Sequence, residues 1–240
     1  MIAHRGGGKF APENTLAALR KGHELGFRGV EFDVMLAADA VPVLIHDETL
    51  ERTTNGRGNV ADTPAPVLGT LDAGAWFDAH YRGEPVPLFV DAARLCLSLG
   101  LWANIEIKPA TGHEATTGRV AATLAAQVWQ DAPPGLVPLL SSFSEAALAA
   151  ARSAAPQLPR GLLLDAVPDD WHARMTALGC LSLHCNQARL DERTAQGIVQ
   201  AGYGLATWTV NDPDAARRLF AWGVDAVFTD RLDLIGPDFC

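Results

Sequence analysis

The stretch GVEFDVM, residues 29–35, places two acids inside an otherwise apolar run. Side chains of a strand alternate between its two faces, so Glu31 and Asp33 share one face while Phe32 lies on the other. Buried acids are costly unless they meet partners or an ion. The stretch therefore predicts a strand with helices against its apolar face and a polar site against its acidic face.

Short apolar runs alternate with alanine-rich amphipathic segments at intervals of roughly 25 to 30 residues. Strands are predicted over residues 1–5, 29–35, 102–108, 137–141, 160–164, 180–184, 203–209 and 224–229. Helices are predicted over residues 13–25, 90–99, 114–130, 145–154, 192–201 and 214–221. This alternation is typical of parallel βα units. Eight such units favour an α/β fold of the (β/α)8 TIM barrel type over an open doubly wound sheet.

The chain of 240 residues suits one barrel domain over residues 1–240. Residues 41–87 interrupt the rhythm, because they hold turn formers and aromatic residues without a helical period. We interpret about residues 47–87 as a small insertion after strand two. The preceding VPVLIHD reads as a short extra strand that brings His46 back toward the end of strand two.

Composition limits the class of partner. The net charge of −9, without any cluster of Lys and Arg, predicts no nucleic-acid-binding surface and no stable membrane association. No apolar run reaches the roughly 18 residues of a membrane span. The four cysteines lack a C-x-x-C or dense framework spacing, so we expect reduced thiols and a cytoplasmic protein. The sequence leaves open whether the chain forms a homo-oligomer.

Polar residues cluster where strands of the predicted barrel end, which is where barrel enzymes build their active sites. Three carboxylates from adjacent strands, Glu31, Asp33 and Glu106, would form an all-oxygen site for a hard divalent metal ion, Mg²⁺ or Ca²⁺. Three negative charges, a divalent ion and the cations Arg5 and Lys108 sum to one positive charge. That excess predicts a site for one phosphodiester anion.

Each of these residues also has a purely structural interpretation. Glu106 and Lys108 alone could form a buried ion pair. Phe143 and Trp208 could be core aromatics or walls of a pocket. His184, at the end of the sixth predicted strand, could face the site or lie in the core.

The first loop, HRGGGKFAPENT, has two features of its own. Its glycines lack the spacing of a P-loop, but they would let backbone N–H groups approach a phosphate. PENT reads first as a helix start capped by Asn14 or Thr15, with a supporting role of Asn14 at the site as the alternative.

The motifs HRGG with PENT, VEFDV, PVLIHDETLERTTNG, NIEIKP, LLSSF, TWTVN and GVDAVFTD occur in this order along the chain. Together they resemble the glycerophosphodiester phosphodiesterases, most closely the bacterial cytoplasmic form associated with glycerol phosphate uptake. The resemblance covers essentially the whole chain. It implies a TIM barrel that hydrolyses a small-molecule glycerophosphodiester to sn-glycerol 3-phosphate and an alcohol, as part of glycerol and lipid metabolism.

The resemblance also implies roles for individual residues. It makes His4 and His46 the catalytic acid and base, with Arg5 and Lys108 binding the phosphate. The family's metal ligands fall on Glu31, Asp33 and Glu106. A cyclic phosphate intermediate, formed by the glycerol 2-hydroxyl, is expected. We assign His4 as base and His46 as acid, the reverse order remaining open, and expect Phe143 and Trp208 to flank the glycerol carbons.

Two rival functions remain at this point. A phospholipase D-like lyase on a similar barrel would stop at the cyclic product, but the expected compartment argues against it. A catalytically inactive barrel that only binds a ligand would not need two acid–base groups such as His4 and His46.

Overall fold

The computed structural model describes residues 1–239, which form one nine-stranded sheet in the order β1-β9-β8-β7-β6-β5-β4-β2-β3, closed by pairing of β1 with β2. The strands are β1 Ile2–Ala3, β2 Gly29–Leu36, β3 Pro42–Leu44, β4 Trp102–Ile107, β5 Leu139–Ser142, β6 Arg160–Leu164, β7 Ser182–Asn186, β8 Gly204–Trp208 and β9 Ala226–Thr229. All except β3 pair in parallel. The predicted TIM barrel is therefore confirmed.

Helices cover the outside of the barrel, apart from the short α2, which lies in the insertion. They are α1 Leu16–Glu24, α2 Ala65–Leu68, α3 Phe89–Leu99, α4 Glu114–Val128, α5 Glu145–Ala154, α6 Trp171–Leu178, α7 Glu192–Gln200 and α8 Pro213–Ala221. Outward-facing strand residues such as Phe32 and Ile105 are fully buried beneath them. The rings of Phe32 and Phe89 lie 6.3 Å apart, which ties α3 to β2. The apolar face predicted for residues 29–35 thus packs against helices.

Strand β3 precedes the insertion, pairs antiparallel with β2 and brings Leu44 opposite Val34. The strand is shorter than the predicted VPVLIHD, residues 41–47, and ends at Leu44, two residues before His46. Beyond it, Ile45, Leu50 and Leu68 pack in a small apolar core of the insertion. This packing fixes the inserted segment beside the carboxyl end of β2 and gives His46 a defined position.

Several element boundaries differ from the prediction. Strand β1 covers Ile2–Ala3 instead of residues 1–5, because Arg5 has a left-handed φ of 51° that turns the chain. Helix α1 begins at Leu16 instead of residue 13, because the Thr15 hydroxyl accepts the N–H of Ala18 at 3.0 Å and caps the helix. Strand β7 lies two residues further along than predicted. These shifts leave the strand order unchanged.

Among residues 1–239, no helix combines the length and the apolar character needed to cross a membrane.

Candidate active site

A cavity of about 240 Å³ opens at the carboxyl ends of the barrel strands. The nine residues predicted for the site all line it, although they come from six separate parts of the chain. The lining residues are His4, Arg5, Glu31, Asp33, His46, Asn104, Glu106, Lys108, Phe143, Leu163, Trp208, Thr209 and Phe228.

Three acids converge at the base of the cavity. Asp33 lies opposite Glu106 in the β2–β4 pairing, and carboxylate oxygens of Glu31, Asp33 and Glu106 lie within 4.8 Å of one another. Burial, with repulsion from the other two acids, raises the pKa of Glu31 well above its ordinary value. Burial and Asp33 raise the pKa of Glu106 to about 7.

Asp33 behaves differently from its two neighbours. Burial opposes its ionisation, but the nearby cations Arg5 and Lys108 hold its pKa below the ordinary value. In this cluster the ionised form of Asp33 is stabilised. Burial and repulsion between the acids disfavour the ionised forms of Glu31 and Glu106. Three buried oxygen donors in this state fit a hard divalent cation, which would relieve their repulsion.

The two cations flank these acids. The Arg5 main-chain N–H donates to Glu31 Oε2 at 2.8 Å, and its side-chain Nε lies 3.7 Å from Asp33 Oδ2. Lys108 Nζ lies 3.3 Å from Glu106 Oε1, so the two residues form the ion pair that their purely structural interpretation predicts. Glu106 also faces the other acids, so the pair belongs to a larger charged cluster.

His4 is held by a residue from the far end of the chain. Its Nδ1 lies 2.7 Å from Asp230 Oδ1, and its Nε2 lies 3.9 Å from Glu31 Oε2. Asn211 fixes Asp230 by donating from Nδ2 to Oδ2 at 3.0 Å and by accepting its main-chain N–H at 2.8 Å. A carboxylate only accepts hydrogen bonds, so Nδ1 carries the proton and Nε2 of a neutral ring keeps a free lone pair.

His46 has the same kind of partner. Its Nδ1 lies 2.5 Å from Oδ1 of the adjacent Asp47. Burial and the cations Arg5 and Lys108 lower the pKa of His46, although Asp33 and Asp47 oppose the shift. Burial and the two cations thus favour the neutral form of the ring.

The aromatic residues Phe143 and Trp208 form one side of the cavity. Their rings meet edge to face with centroids 5.4 Å apart, and Phe143 remains 44% exposed. Lys108 Nζ lies 5.8 Å from the centre of the Phe143 ring. This side of the cavity offers apolar surface next to a cation.

His184 lies inside the barrel but does not line the cavity. It is 3% exposed, and its Nε2 lies 3.0 Å from Ser182 Oγ. Its ring packs 5.4 Å from that of Phe228, which does line the cavity. Of the two interpretations of His184, the structure supports the core residue.

Two of the three glycines of the first loop, Gly6 and Gly8, are used differently from the expectation that their N–H groups approach a phosphate. The N–H of Gly6 donates to Ala3 O at 3.3 Å and that of Gly8 to His4 O at 3.0 Å, so neither group is free for a phosphate. Gly8 has a left-handed φ of 53°, and a Cβ there would collide with the backbone of Asp230. These glycines shape a tight turn that packs against the end of β9.

Three further residues orient the site, and the sequence pattern points to only one of them, Asn14. Asp230 carries no local signal, because it lies 226 positions from its partner His4. Asp47 follows His46 directly, and that adjacency could have indicated the pair. Asn14 was considered mainly as a cap, yet its Nδ2 donates to Asp33 Oδ2 at 2.8 Å and its Oδ1 accepts the Asp33 N–H at 3.0 Å.

This TIM barrel gathers two histidines, two cations and three acids at the ends of its strands, a set of groups suited to an enzyme that acts on a phosphodiester. The model of the glycerophosphoryl diester phosphodiesterase family matches residues 4–234. The chain belongs to this family.

Individual relatives agree with this assignment. The glycerophosphodiester phosphodiesterase of Caldanaerobacter subterraneus is 34% identical over 231 residues, covering 96% of this chain and 93% of the relative. An Oleispira antarctica phosphodiesterase, solved in complex with the product sn-glycerol-3-phosphate, is 39% identical with a TM-score of 0.89 and covers 95% of this chain and 92% of its own. The glycerophosphodiester phosphodiesterase from Agrobacterium tumefaciens is 30% identical with a TM-score of 0.79, and the match covers 97% of this chain and 96% of that structure's chain.

Proposed function

We propose that this protein hydrolyses glycerophosphodiesters to sn-glycerol 3-phosphate and an alcohol. One observation carries the proposal: two histidines from different segments, each with a carboxylate on Nδ1, line the cavity that also holds three acids and two cations. The family membership supports the reaction class, and the product bound to the Oleispira antarctica relative supports the substrate class.

In this proposal Glu31, Asp33 and Glu106 hold a divalent metal ion, Mg²⁺ or Ca²⁺. Such an ion, when bound, neutralises charge on a phosphoryl oxygen and lowers the pKa of a coordinated hydroxyl. Asn14 holds the Asp33 carboxylate through its side-chain amide, which fixes the direction of that ligand.

Arg5 and Lys108 bind the phosphate and stabilise the negative charge that develops on its oxygens. Both line the cavity beside the acids. The lowered pKa of His46 gives this binding a second consequence. Burial is the largest cause of that lowering, and a phosphate anion between the cations offsets only the part that Arg5 and Lys108 cause, which favours the protonated ring that an acid requires.

The two histidines exchange roles over two steps. The glycerol 2-hydroxyl gives its proton to Nε2 of His4 and attacks phosphorus, while His46 protonates the departing alcohol oxygen. Water then opens the cyclic phosphate, with His46 as base and His4 as acid. Each proton transfer contributes on the order of 10²- to 10⁴-fold to the rate. Asp230 and Asp47 stabilise whichever ring is protonated.

Phe143 and Trp208 pack against the glycerol carbons, and the alcohol group extends toward solvent. We also place the reaction in the cytoplasm, within glycerol and lipid metabolism. Reduced thiols suit that compartment, and Cys96, Cys180 and Cys185 are buried and free. Cys240 lies outside the described residues.

The test is release of glycerol phosphate from glycerophosphocholine with Mg²⁺, with Ca²⁺ and with a chelator. We expect release only with a divalent ion, and no release by His4→Ala or His46→Ala despite unchanged thermal unfolding. His80→Ala, at an exposed histidine of the insertion, serves as the control and should remain active. Accumulation of cyclic phosphate alone would support the lyase, and no turnover of any glycerophosphodiester would support a binding protein.

A further inference from the structure

The two histidines are secured in different ways. Asp230, the partner of His4, is fixed by Asn211 within the barrel. Asp47, the partner of His46, sits on the loop after β3 and is 26% exposed. A carboxylate on an exposed loop needs a further contact to hold a ring in one orientation.

Arg52 supplies that contact. Its Nε donates to Asp47 Oδ2 at 2.5 Å, and its Nη2 donates to Asp47 Oδ1 at 3.1 Å. The same guanidinium donates from Nη1 to Glu13 Oε2 and from Nη2 to Glu13 Oε1, both at 2.8 Å. Arg52 therefore forms two forked pairs, of which the pair with Glu13 joins the insertion to the first loop, 39 positions away.

The chain of contacts continues from Glu13 to the phosphate-binding cation. Arg5 Nη1 donates to Glu13 Oε1 at 2.6 Å, so a single carboxylate lies between two guanidinium groups. His46 and Arg5, which come from separate segments, are thus connected through Asp47, Arg52 and Glu13.

Burial indicates what this network is for. The Arg52 side chain is 43% exposed, whereas the side chains of its partners Glu13 and Asp47 are 14% and 26% exposed. The planar guanidinium holds both carboxylates in its plane, which is a geometry well suited to orientation. Arg52 thus connects two carboxylates that each contact a residue of the site.

We propose that Arg52 is a positioning residue that sets His46, through Asp47, and Arg5, through Glu13, in one arrangement. The catalytic consequence rests on the proposed function, whereas the orientation of the His46 ring does not. Misplacement of a reacting group by about 1 Å can cost on the order of 100-fold in rate. Arg52→Gln should lower kcat by about 10- to 100-fold on that basis.

Arg52→Lys separates geometry from charge. Lysine keeps the positive charge, but its single ammonium cannot form paired bonds with both carboxylates. We expect Arg52→Lys to remain impaired, and full recovery by lysine would overturn the role of the fork. In an Asp47→Asn background, Arg52→Gln should have a smaller additional effect, because the contact with Asp47 is already weakened and mainly the contact with Glu13 remains to be lost.

The decisive readout is independent of activity. Ring ¹⁵N resonances of His46, assigned by their loss in His46→Gln, should shift in Arg52→Gln, while those of His4 stay in place. Arg57→Gln, at an exposed arginine of the same loop, is the matched control and should leave both rings and kcat unchanged. The proposal would be refuted if the His46 resonances did not shift in Arg52→Gln. It would also be refuted if the wild type were active and Arg52→Gln had the same kcat. An inactive wild type would count against the proposed function, and the ring spectra would still test Arg52.

Discussion

Asp230 Oδ1 lies 2.7 Å from Nδ1 of His4, although the two residues are 226 positions apart. They meet because β1 and β9 are neighbours in the closed barrel. The Asp230 main chain also accepts the Lys9 N–H at 2.9 Å, which holds the first loop against the end of β9. Closure of the barrel therefore orients the first histidine of the site.

The first prediction concerns this pair. Asp230→Asn keeps the size of the side chain but removes its charge, so the ring can adopt the wrong tautomer and a protonated His4 loses its counterion. We expect kcat to fall by about 10²- to 10⁴-fold with little change in unfolding temperature. Asp233→Asn, which alters an exposed aspartate three positions along, is the control. Retention of full activity by Asp230→Asn would show that the contact does not serve catalysis.

The second prediction concerns the three acids without metal. Burial and repulsion disfavour the ionised Glu31, so Glu31→Gln should stabilise the metal-free protein, while its amide oxygen still accepts the Arg5 N–H. Thermal unfolding in chelator should rise by about 2 °C or more, a shift that corresponds to roughly 1 kcal/mol in a protein of this size. The same variant should lose the stabilisation that Mg²⁺ or Ca²⁺ gives the wild type.

The exposed pair of Lys21 and Glu24 offers the control for this measurement. Glu24→Gln should leave both the metal-free unfolding temperature and the effect of metal close to wild type. A metal-induced shift of full size in Glu31→Gln would exclude Glu31 as a ligand.

The third prediction concerns pH and the buried His184. Burial lowers its pKa from 6.5 to about 4, so between these values the unfolded chain binds a proton that the folded protein does not. Stability should therefore fall as pH decreases through this window, by about 2 kcal/mol between pH 6.5 and pH 5 from this residue.

Denaturant unfolding of wild type and His184→Gln at pH 7 and pH 5 measures how much His184 contributes to the pH dependence of stability. The drop in unfolding free energy on acidification should be smaller in the variant by about that amount. His172→Gln, at an exposed histidine on α6, should keep the wild-type drop. Identical pH dependence in wild type and His184→Gln would contradict the buried neutral ring.

The fourth prediction concerns the attacking group. Attack by the glycerol 2-hydroxyl requires that hydroxyl, so diesters without it, such as bis(p-nitrophenyl) phosphate, should be poor substrates. Phosphorus NMR during turnover of glycerophosphocholine should detect the glycerol cyclic phosphate, and the isolated cyclic compound should be hydrolysed. Rapid cleavage of the diester without a hydroxyl would indicate direct attack by water.

Much of the barrel could be predicted from local patterns. Alternating faces in residues 29–35 and 102–108 place Glu31, Asp33 and Glu106 on the inner side, and parallel pairing then brings them together. The short length of β1 was not predictable from composition, since it depends on the left-handed conformation of Arg5.

The supporting contacts were harder to predict because they join distant segments. Asp230 reaches His4 only through closure of the sheet, and Arg52 reaches Glu13 only through the path of the insertion. Neither contact repeats with a helical or strand period. Local sequence therefore indicates which residues face the site, whereas the tertiary fold determines which residues hold them.

The central claim is that the three carboxylates gather around one cation within reach of both histidines. A crystal structure with Mn²⁺ and sn-glycerol 3-phosphate tests it most directly, because anomalous scattering locates the metal. We predict one ion bound by Glu31, Asp33 and Glu106 at about 2.0 to 2.6 Å, with the phosphate contacting Arg5 and Lys108. If the crystal held Mn²⁺ at saturating concentration only at other places, and no ion lay between these three carboxylates, the proposed metal site would be wrong.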